Sequence, residues 1–84
     1  MKIRIYTTRW CGYCRAAKSL LTEHGLAFEE LPVDGDSAMR ARLAQENGGY
    51  TSVPMIFIDD RFIGGYDQLA ALARANKLPG ARPS

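Results

Sequence analysis

The sequence predicts an α/β domain in which a four-stranded mixed sheet is flanked by three helices, in the order βαβ-α-ββ-α. Two observations support this fold class. The chain has 84 residues, a length that suits one domain. Along it, short apolar runs alternate with segments of helical periodicity, a pattern that is typical of α/β proteins. We expect the domain to cover residues 1–78 and a flexible C-terminal tail to cover residues 79–84.

The first part of the chain is predicted to form a strand, a helix and a second strand. The strands are expected at residues 2–6 and at about residues 27–33. Between them, one helical face carries Tyr13, Ala17, Leu20 and Leu21. Gly25 is a suitable C-terminal stop for this helix. Because a crossover of this length is right-handed, the two strands should be parallel.

A second helix is predicted after these strands. Asp36 or Ser37 can cap its N-terminus, because both side chains accept a hydrogen bond from the free amides of a first turn. Its apolar face includes Met39 and Leu43. The helix should end near the breaker at residues 47–49.

A hairpin and a last helix complete the predicted domain. Residues 55–58 are continuously apolar and predict a buried strand, which a tight turn at residues 59–60 joins to a partner strand at residues 61–64. Asp67 can cap the last helix. The apolar face of that helix carries Leu69, Leu72 and Ala73.

Composition excludes several classes of protein. Apolar residues make up 46% of the chain, charged residues 24%, and the net charge is +2, values of an ordinary globular protein rather than a disordered or nucleic-acid-coating one. The apolar runs are too short for a membrane span, and residues 1–5 lack the apolar core of a signal peptide. We therefore expect a cytoplasmic protein without nucleic-acid or membrane partners.

The two cysteines of the chain lie in one tetrapeptide, Cys11-Gly12-Tyr13-Cys14, at a predicted strand-to-helix junction. This spacing indicates a dithiol/disulfide redox centre. The free amides and positive dipole end of the helix point at the first sulfur, so we expect Cys11 to be the nucleophile. Cys14, one turn into the helix, is better placed as a buried resolving thiol.

The two cysteines could also serve a structural role. A permanent disulfide between them would close a very short loop and would constrain little of the unfolded chain. A structural zinc ion usually takes four Cys or His ligands, and this chain offers two cysteines and His24. One chain cannot complete such a site, whereas a site shared between two chains remains open.

Three separated segments resemble the glutaredoxins, the small glutathione-dependent members of the thioredoxin fold, over nearly the whole chain. They are Ile5-Tyr6-Thr7 leading into the Cys-x-x-Cys motif, then Ser52-Val53-Pro54, and finally Ile63-Gly64-Gly65-Tyr66-Asp67. They occur in the order of the family. The resemblance implies a thioredoxin-like fold and the dithiol class of glutaredoxin.

The resemblance also implies a glutathione site. Pro54 should be cis, so that the backbone of Val53 pairs with the cysteine unit of glutathione beside the sulfurs. Ser52 stands where the family commonly has Thr and keeps a hydroxyl group. Gly65 allows close approach of a ligand. The amides of Tyr66 and Asp67 suit a carboxylate, the side chain of Asp67 suits the γ-glutamyl ammonium, and Tyr13 forms a rim.

The sequence departs from the family pattern at two positions. Many relatives have Lys at the position of Thr8, where it meets the glycine carboxylate of glutathione. Arg9 is the nearest cation to take this role, with Arg40 and Arg42 as further candidates. Gly12 replaces the commonest Pro and should alter the reduction potential.

The function that follows is reduction of protein disulfides and of glutathione mixed disulfides by the Cys11/Cys14 couple, with glutathione as co-substrate. One alternative is a redoxin that thioredoxin reductase reduces and that donates electrons to ribonucleotide reductase. Another is a dimer holding a [2Fe-2S] cluster through Cys11 of each subunit and two glutathiones. For the main hypothesis we expect a monomer whose partners are disulfide-containing or glutathionylated proteins.

Overall fold

The computed structural model describes residues 2–75, 77 and 78. Within them the chain forms β1 (Ile3–Thr7), α1 (Gly12–Glu23), β2 (Glu29–Pro32), α2 (Ser37–Glu46), β3 (Met55–Ile58), β4 (Arg61–Gly64) and α3 (Tyr66–Arg74). This is the predicted order of elements. The predicted tail at residues 79–84 lies outside the described residues, so the domain boundary at residue 78 stays a prediction.

The four strands form one mixed sheet in the order β2-β1-β3-β4. β1 pairs with β2 in parallel and with β3 in antiparallel orientation, and β4 pairs with β3 in antiparallel orientation. The predicted parallel pair and hairpin are both confirmed. The second strand is shorter than predicted, because only residues 29–32 pair with β1.

Helices cover both faces of the sheet. On one face, α1 and α3 bury Ile3, Ile5, Ile56 and Ile58 beneath Ala17, Leu21 and Leu69. On the other face, α2 contributes Leu43 to a smaller cluster with Val33, Met55 and Phe57. All four residues of β3 are buried, because their alternating side chains reach both layers. The continuous apolar run at residues 55–58 therefore forms a buried strand, as predicted.

The start of α2 and the end of α1 are both as the sequence predicts. The side chain of Asp36 accepts a hydrogen bond from the amide of Met39 at 3.0 Å and caps α2. At the end of α1, Gly25 has a φ of +69°, a left-handed conformation that glycine adopts without steric cost. None of the helices in residues 2–75 is both long and apolar enough to cross a membrane.

The start of α3 differs from the prediction. Asp67 was the expected cap, but the helix already begins at Tyr66, with Gly65 in the capping position. The amide of Gly65 donates to Oε1 of Gln68 at 2.9 Å, so the Gln68 side chain provides the hydrogen-bond partner of the amide in the capping position. Asp67 instead lies in the first turn, where its negative charge favours the helix dipole. The chain turns earlier because Gly64, with a φ of +117°, can reverse direction directly after β4.

Candidate active site

The Cys-x-x-Cys motif lies where β1 leads into α1, as predicted. Cys11 occupies the capping position of α1, and its Sγ accepts a hydrogen bond from the amide of Cys14 at 3.0 Å. The Cys11 side chain is partly exposed, whereas Cys14 is buried with 1% of its surface accessible. One sulfur is therefore available to a substrate and the other is enclosed by the protein.

The burial of Cys14 changes its acid-base chemistry. Burial, together with a hydrogen bond that the Cys14 thiol donates to the Cys11 side chain, raises the pKa of the Cys14 thiol to about 12. A backbone hydrogen bond at Thr8 and, to a smaller extent, the positive charge of Lys18 act in the opposite direction and lower the pKa. Cys14 consequently keeps its proton at neutral pH, which suits a thiol that reacts second.

A loop before β3 brings backbone next to the Cys11 sulfur. The Val53–Pro54 peptide bond is cis, as predicted. The Cys11 thiol donates to the carbonyl oxygen of Val53, with 3.7 Å between sulfur and oxygen. A side chain of α2 also contacts this loop: Nη2 of Arg40 donates to the carbonyl oxygen of Thr51 at 3.3 Å. The sulfur thus faces an ordered stretch of main chain.

A cleft of about 310 Å³ opens beside this loop. Six of the eight predicted binding residues line it: Tyr13, Ser52, Val53, Pro54, Tyr66 and Asp67. The rings of Tyr13 and Tyr66 form one wall, with centroids 6.0 Å apart and planes inclined by 34°. Tyr13 keeps 66% of its surface exposed and lies at the rim. Three segments that are distant in sequence therefore share one cleft.

Gly65 and Arg9 are the predicted residues that do not line this cleft. A Cβ on Gly65 would contact the Tyr50 phenol and come within 3.3 Å of the Pro54 carbonyl oxygen. Glycine at this position therefore makes room for the protein's own side chain. Arg9 lines a different cleft, and its amide donates to the carboxylate of Asp34 at 2.8 Å.

Tyr50 and Gln68 line the cleft but were missed by the sequence analysis. Gln68 stands three residues after Gly65, the spacing of a capping box, and this spacing could have indicated its position. Tyr50 packs edge-on against Phe62, with ring centroids 5.1 Å apart. Its place in the cleft depends on this long-range contact, for which the local sequence gives no signal.

Metal-ligating side chains are sparse in this fold. Among residues 2–75, 77 and 78, no three His, Cys, Asp or Glu side chains lie close enough together to hold a metal ion. Arg42, one of the candidate cations, pairs with Glu46 at 3.3 Å on the outer face of α2. The dimeric cluster of the alternative hypothesis takes its ligands from two chains and from glutathione, so it stays a prediction.

Sequence comparison identifies relatives over most of the chain. The sequence profile of the glutaredoxin family matches residues 3–63. A glutaredoxin from Pseudomonas aeruginosa is 50% identical over 74 residues, which cover 88% of this chain and 87% of the relative. Glutaredoxin 3 from Escherichia coli strain K12 is 49% identical over 70 residues, which cover 83% of each chain.

Structural comparison agrees with these relatives. The crystal structure of a buckwheat glutaredoxin-glutathione complex superposes with a TM-score of 0.85 at 30% sequence identity, covering 90% of this chain and 71% of the buckwheat chain. The fold is therefore the thioredoxin fold of the glutaredoxins. With its Cys-x-x-Cys motif at the start of α1 and about half of its aligned residues identical to those of bacterial relatives, this chain belongs to the glutaredoxin family of thiol oxidoreductases.

Proposed function

We propose that this protein is a glutathione-dependent thiol-disulfide oxidoreductase that reduces glutathione mixed disulfides and protein disulfides. The observation that carries the proposal is the contrast between its two sulfurs. Cys11 is accessible at a helix N-terminus beside an open cleft, and Cys14 is buried one turn away with a pKa of about 12. This arrangement gives one nucleophile and one thiol held in reserve.

In the first step, the Cys11 thiolate attacks the glutathione sulfur of a mixed disulfide. A Cys11–glutathione disulfide forms, the bond to the substrate sulfur breaks, and the substrate leaves as a thiolate that takes a proton from water. The amide of Cys14, 3.0 Å from the Cys11 sulfur, stabilises the negative charge of the attacking thiolate. Cys14 itself is not needed in this step.

The cleft beside the sulfur is the proposed glutathione site. The backbone of Val53 pairs with the cysteine unit of glutathione, and the amides of Tyr66 and Asp67 at the start of α3 bind its γ-glutamyl carboxylate. The Asp67 side chain binds the ammonium group. Two facts support this assignment: these residues line one cleft, and the buckwheat glutaredoxin was solved as a glutathione complex.

A cation is still required for the glycine carboxylate of glutathione. Arg9 faces the other cleft, so we favour Arg40 for this role. The guanidinium of Arg40 binds the carbonyl of Thr51, the residue directly before Ser52 at the edge of the proposed site.

In the second step, the Cys11–glutathione disulfide is resolved by another glutathione or by Cys14. Reduction of protein disulfides uses Cys14, because both cysteines must form the Cys11–Cys14 bond. Such a cycle consumes reduced glutathione, and we propose that it takes place in the cytoplasm with a monomeric enzyme. Its protein partners would be disulfide-containing or glutathionylated proteins.

The two cysteine variants test this proposal. In an assay with a glutathionylated substrate, glutathione, glutathione reductase and NADPH, we expect Cys14→Ser to retain turnover and Cys11→Ser to lose it. A protein-disulfide substrate should require both cysteines. Full turnover by Cys11→Ser would refute the assignment of the nucleophile, and no turnover by the wild type would refute glutathione dependence.

The position of Arg9 leaves room for a second candidate reductant. Since this cation lies outside the proposed glutathione cleft, thioredoxin reductase is the alternative electron source. Replacing glutathione and its reductase by thioredoxin reductase in the same NADPH assay separates the two functions. We expect faster turnover with glutathione. Faster turnover with thioredoxin reductase would favour the redoxin that serves ribonucleotide reductase.

A further inference from the structure

Cys14 borders a second cleft, separate from the one proposed for glutathione. Its volume is about 260 Å³, and it lies between the start of α1 and the edge strand β2. Cys14 does not line the first cleft, but it lines this one. The charged residues around it are Arg9, Arg15, Lys18, Glu30 and Asp34. The resolving thiol therefore shares its cleft with several charged side chains, whereas Asp67 is the only charged residue described at the proposed glutathione cleft.

Lys18 is the cation best placed to act on the Cys14 sulfur. It follows Cys14 by four residues on α1, so both side chains lie on the same face of the helix. Helical side chains lean toward the N-terminus, which directs the Lys18 stem over the turn that carries Cys14. The positive charge of Lys18 lowers the pKa of Cys14, in the same direction as a larger contribution from a backbone hydrogen bond at Thr8 and against the dominant effect of burial.

The ammonium group of Lys18 is held in this place by a neighbouring strand. Its Nζ lies 3.0 Å from Oε2 of Glu30 on β2. The same carboxylate oxygen accepts a hydrogen bond from Oγ1 of Thr7 on β1 at 2.8 Å. These two contacts hold the pKa of Glu30 below its ordinary value, so the carboxylate stays charged at neutral pH. Lys18 is thus tied to the sheet through Glu30 and lines the same cleft as Cys14.

We propose that Lys18, held by Glu30 and Thr7, is a positioning residue that stabilises the negative charge on Cys14 when this sulfur resolves the Cys11–glutathione disulfide. The inference deepens the proposed function and rests on it. It assigns Lys18 to the second step alone. The first step uses the Cys11 sulfur, which has its own amide donor and lies beside the other cleft.

The chemistry of the second step explains the need for a cation. Cys14 loses its proton to water, and its thiolate attacks the Cys11 sulfur. The Cys11–Cys14 bond forms, the bond from Cys11 to glutathione breaks, and glutathione leaves as a thiolate that water protonates. A buried sulfur must carry negative charge at the start of this attack. A lysine close to that sulfur offsets part of the cost.

The test follows release of glutathione from the preformed Cys11–glutathione adduct in a single turnover, without added reductant. We expect Lys18→Met to slow release by about two- to fivefold, the range that a partly exposed charge pair allows. Lys18→Arg should restore release, because it keeps the positive charge. Arg61→Met is the matched control, since it removes a positive charge from the exposed start of β4 and should release glutathione at the wild-type rate.

A second measurement separates an electrostatic role from a structural one. In the Cys14→Ser background, where glutathione instead of Cys14 resolves the adduct, Lys18→Met should leave deglutathionylation unchanged. Equal slowing of both steps, equal slowing by Lys18→Arg and Lys18→Met, or no slowing by Lys18→Met would each overturn the inference.

If wild-type adduct released no glutathione while Cys14→Ser still turned over, Cys14 would not be the resolving thiol, and the inference would fail while the first step of the proposed function stood. If Cys14→Ser also failed to turn over, the proposed function would fail with it.

Discussion

At the scale of single residues, burial makes the two cysteines chemically different although they are three residues apart. Cys11 caps α1 and is partly exposed to solvent, while Cys14, in the first turn of α1, is almost completely buried. The buried thiolate would lose its hydration, which is the main reason that the pKa of Cys14 rises to about 12. The order of the two thiols in the proposed reaction follows from this difference.

Alkylation of the single-cysteine variants should reveal that difference. At pH 8 we expect iodoacetamide to modify Cys14 in Cys11→Ser at least about tenfold more slowly than Cys11 in Cys14→Ser, because a buried, protonated thiol reacts poorly. The Cys14 rate should keep rising as the pH is raised above 9. Both cysteines should react alike in denaturant. Similar rates in the folded variants would contradict the assignment of Cys14 as the protected thiol.

At the scale of secondary-structure elements, the junction between β4 and α3 shapes one side of the proposed glutathione site. Gly64 has a φ of +117°, and a Cβ there would meet the Gln68 side chain at 2.7 Å. Gln68 in turn accepts from the Gly65 amide and lines the cleft. A short segment therefore turns the chain, caps a helix and builds part of a binding surface.

Substitution at Gly64 should consequently destabilise the protein. We expect Gly64→Ala to lower the free energy of unfolding by at least about 1 kcal/mol, because alanine is strained at this φ and displaces Gln68. Gly12→Ala is the matched control, since no atom lies within 4 Å of its added Cβ. That variant should unfold at an equal or higher urea concentration. Equal destabilisation of the two variants would show that Gly64 is not conformationally required.

At the scale of the whole molecule, the sheet separates two apolar layers of unequal size. Among the residues that the structure describes, the layer under α1 and α3 contains eight buried residues, whereas the layer under α2 contains four. Both helices that begin at the proposed site, α1 with Cys11 and α3 with Tyr66, pack on the larger layer. The positions of the sulfur and of the α3 amides therefore depend on the same core.

Truncations in the two layers should differ in cost. Leu69 is completely buried beneath α3, so Leu69→Ala should lower the free energy of unfolding by about 2–5 kcal/mol. Met39 on α2 is only partly buried against the smaller layer, and Met39→Ala should cost clearly less. Urea denaturation followed by circular dichroism measures both values. Equal losses would show that the two layers contribute equally to stability.

Sequence reasoning predicted most of the fold because its signals were local. The apolar runs at β1 and β3, the cap at Asp36 and the stop at Gly25 each depend on a few neighbouring residues. The start of α3 was predicted wrongly, because Asp67 and Gly65 are both acceptable caps and the turn at Gly64 decides between them. The prediction of the binding residues grouped three segments by family resemblance. It missed Tyr50, which reaches the cleft through a contact with Phe62.

By itself, the sequence determined the α/β class, the redox motif and the family, since these depend on spacing, periodicity and residue type along the chain. Only the tertiary structure decided that Arg9 lines a different cleft from the proposed glutathione site, that Gly65 accommodates Tyr50, and that Lys18 pairs with Glu30 in the cleft that Cys14 lines. The physical reason is that cavities and ion pairs join residues from different strands and helices. Their geometry is set by how these elements pack, and that information is not contained in any one segment.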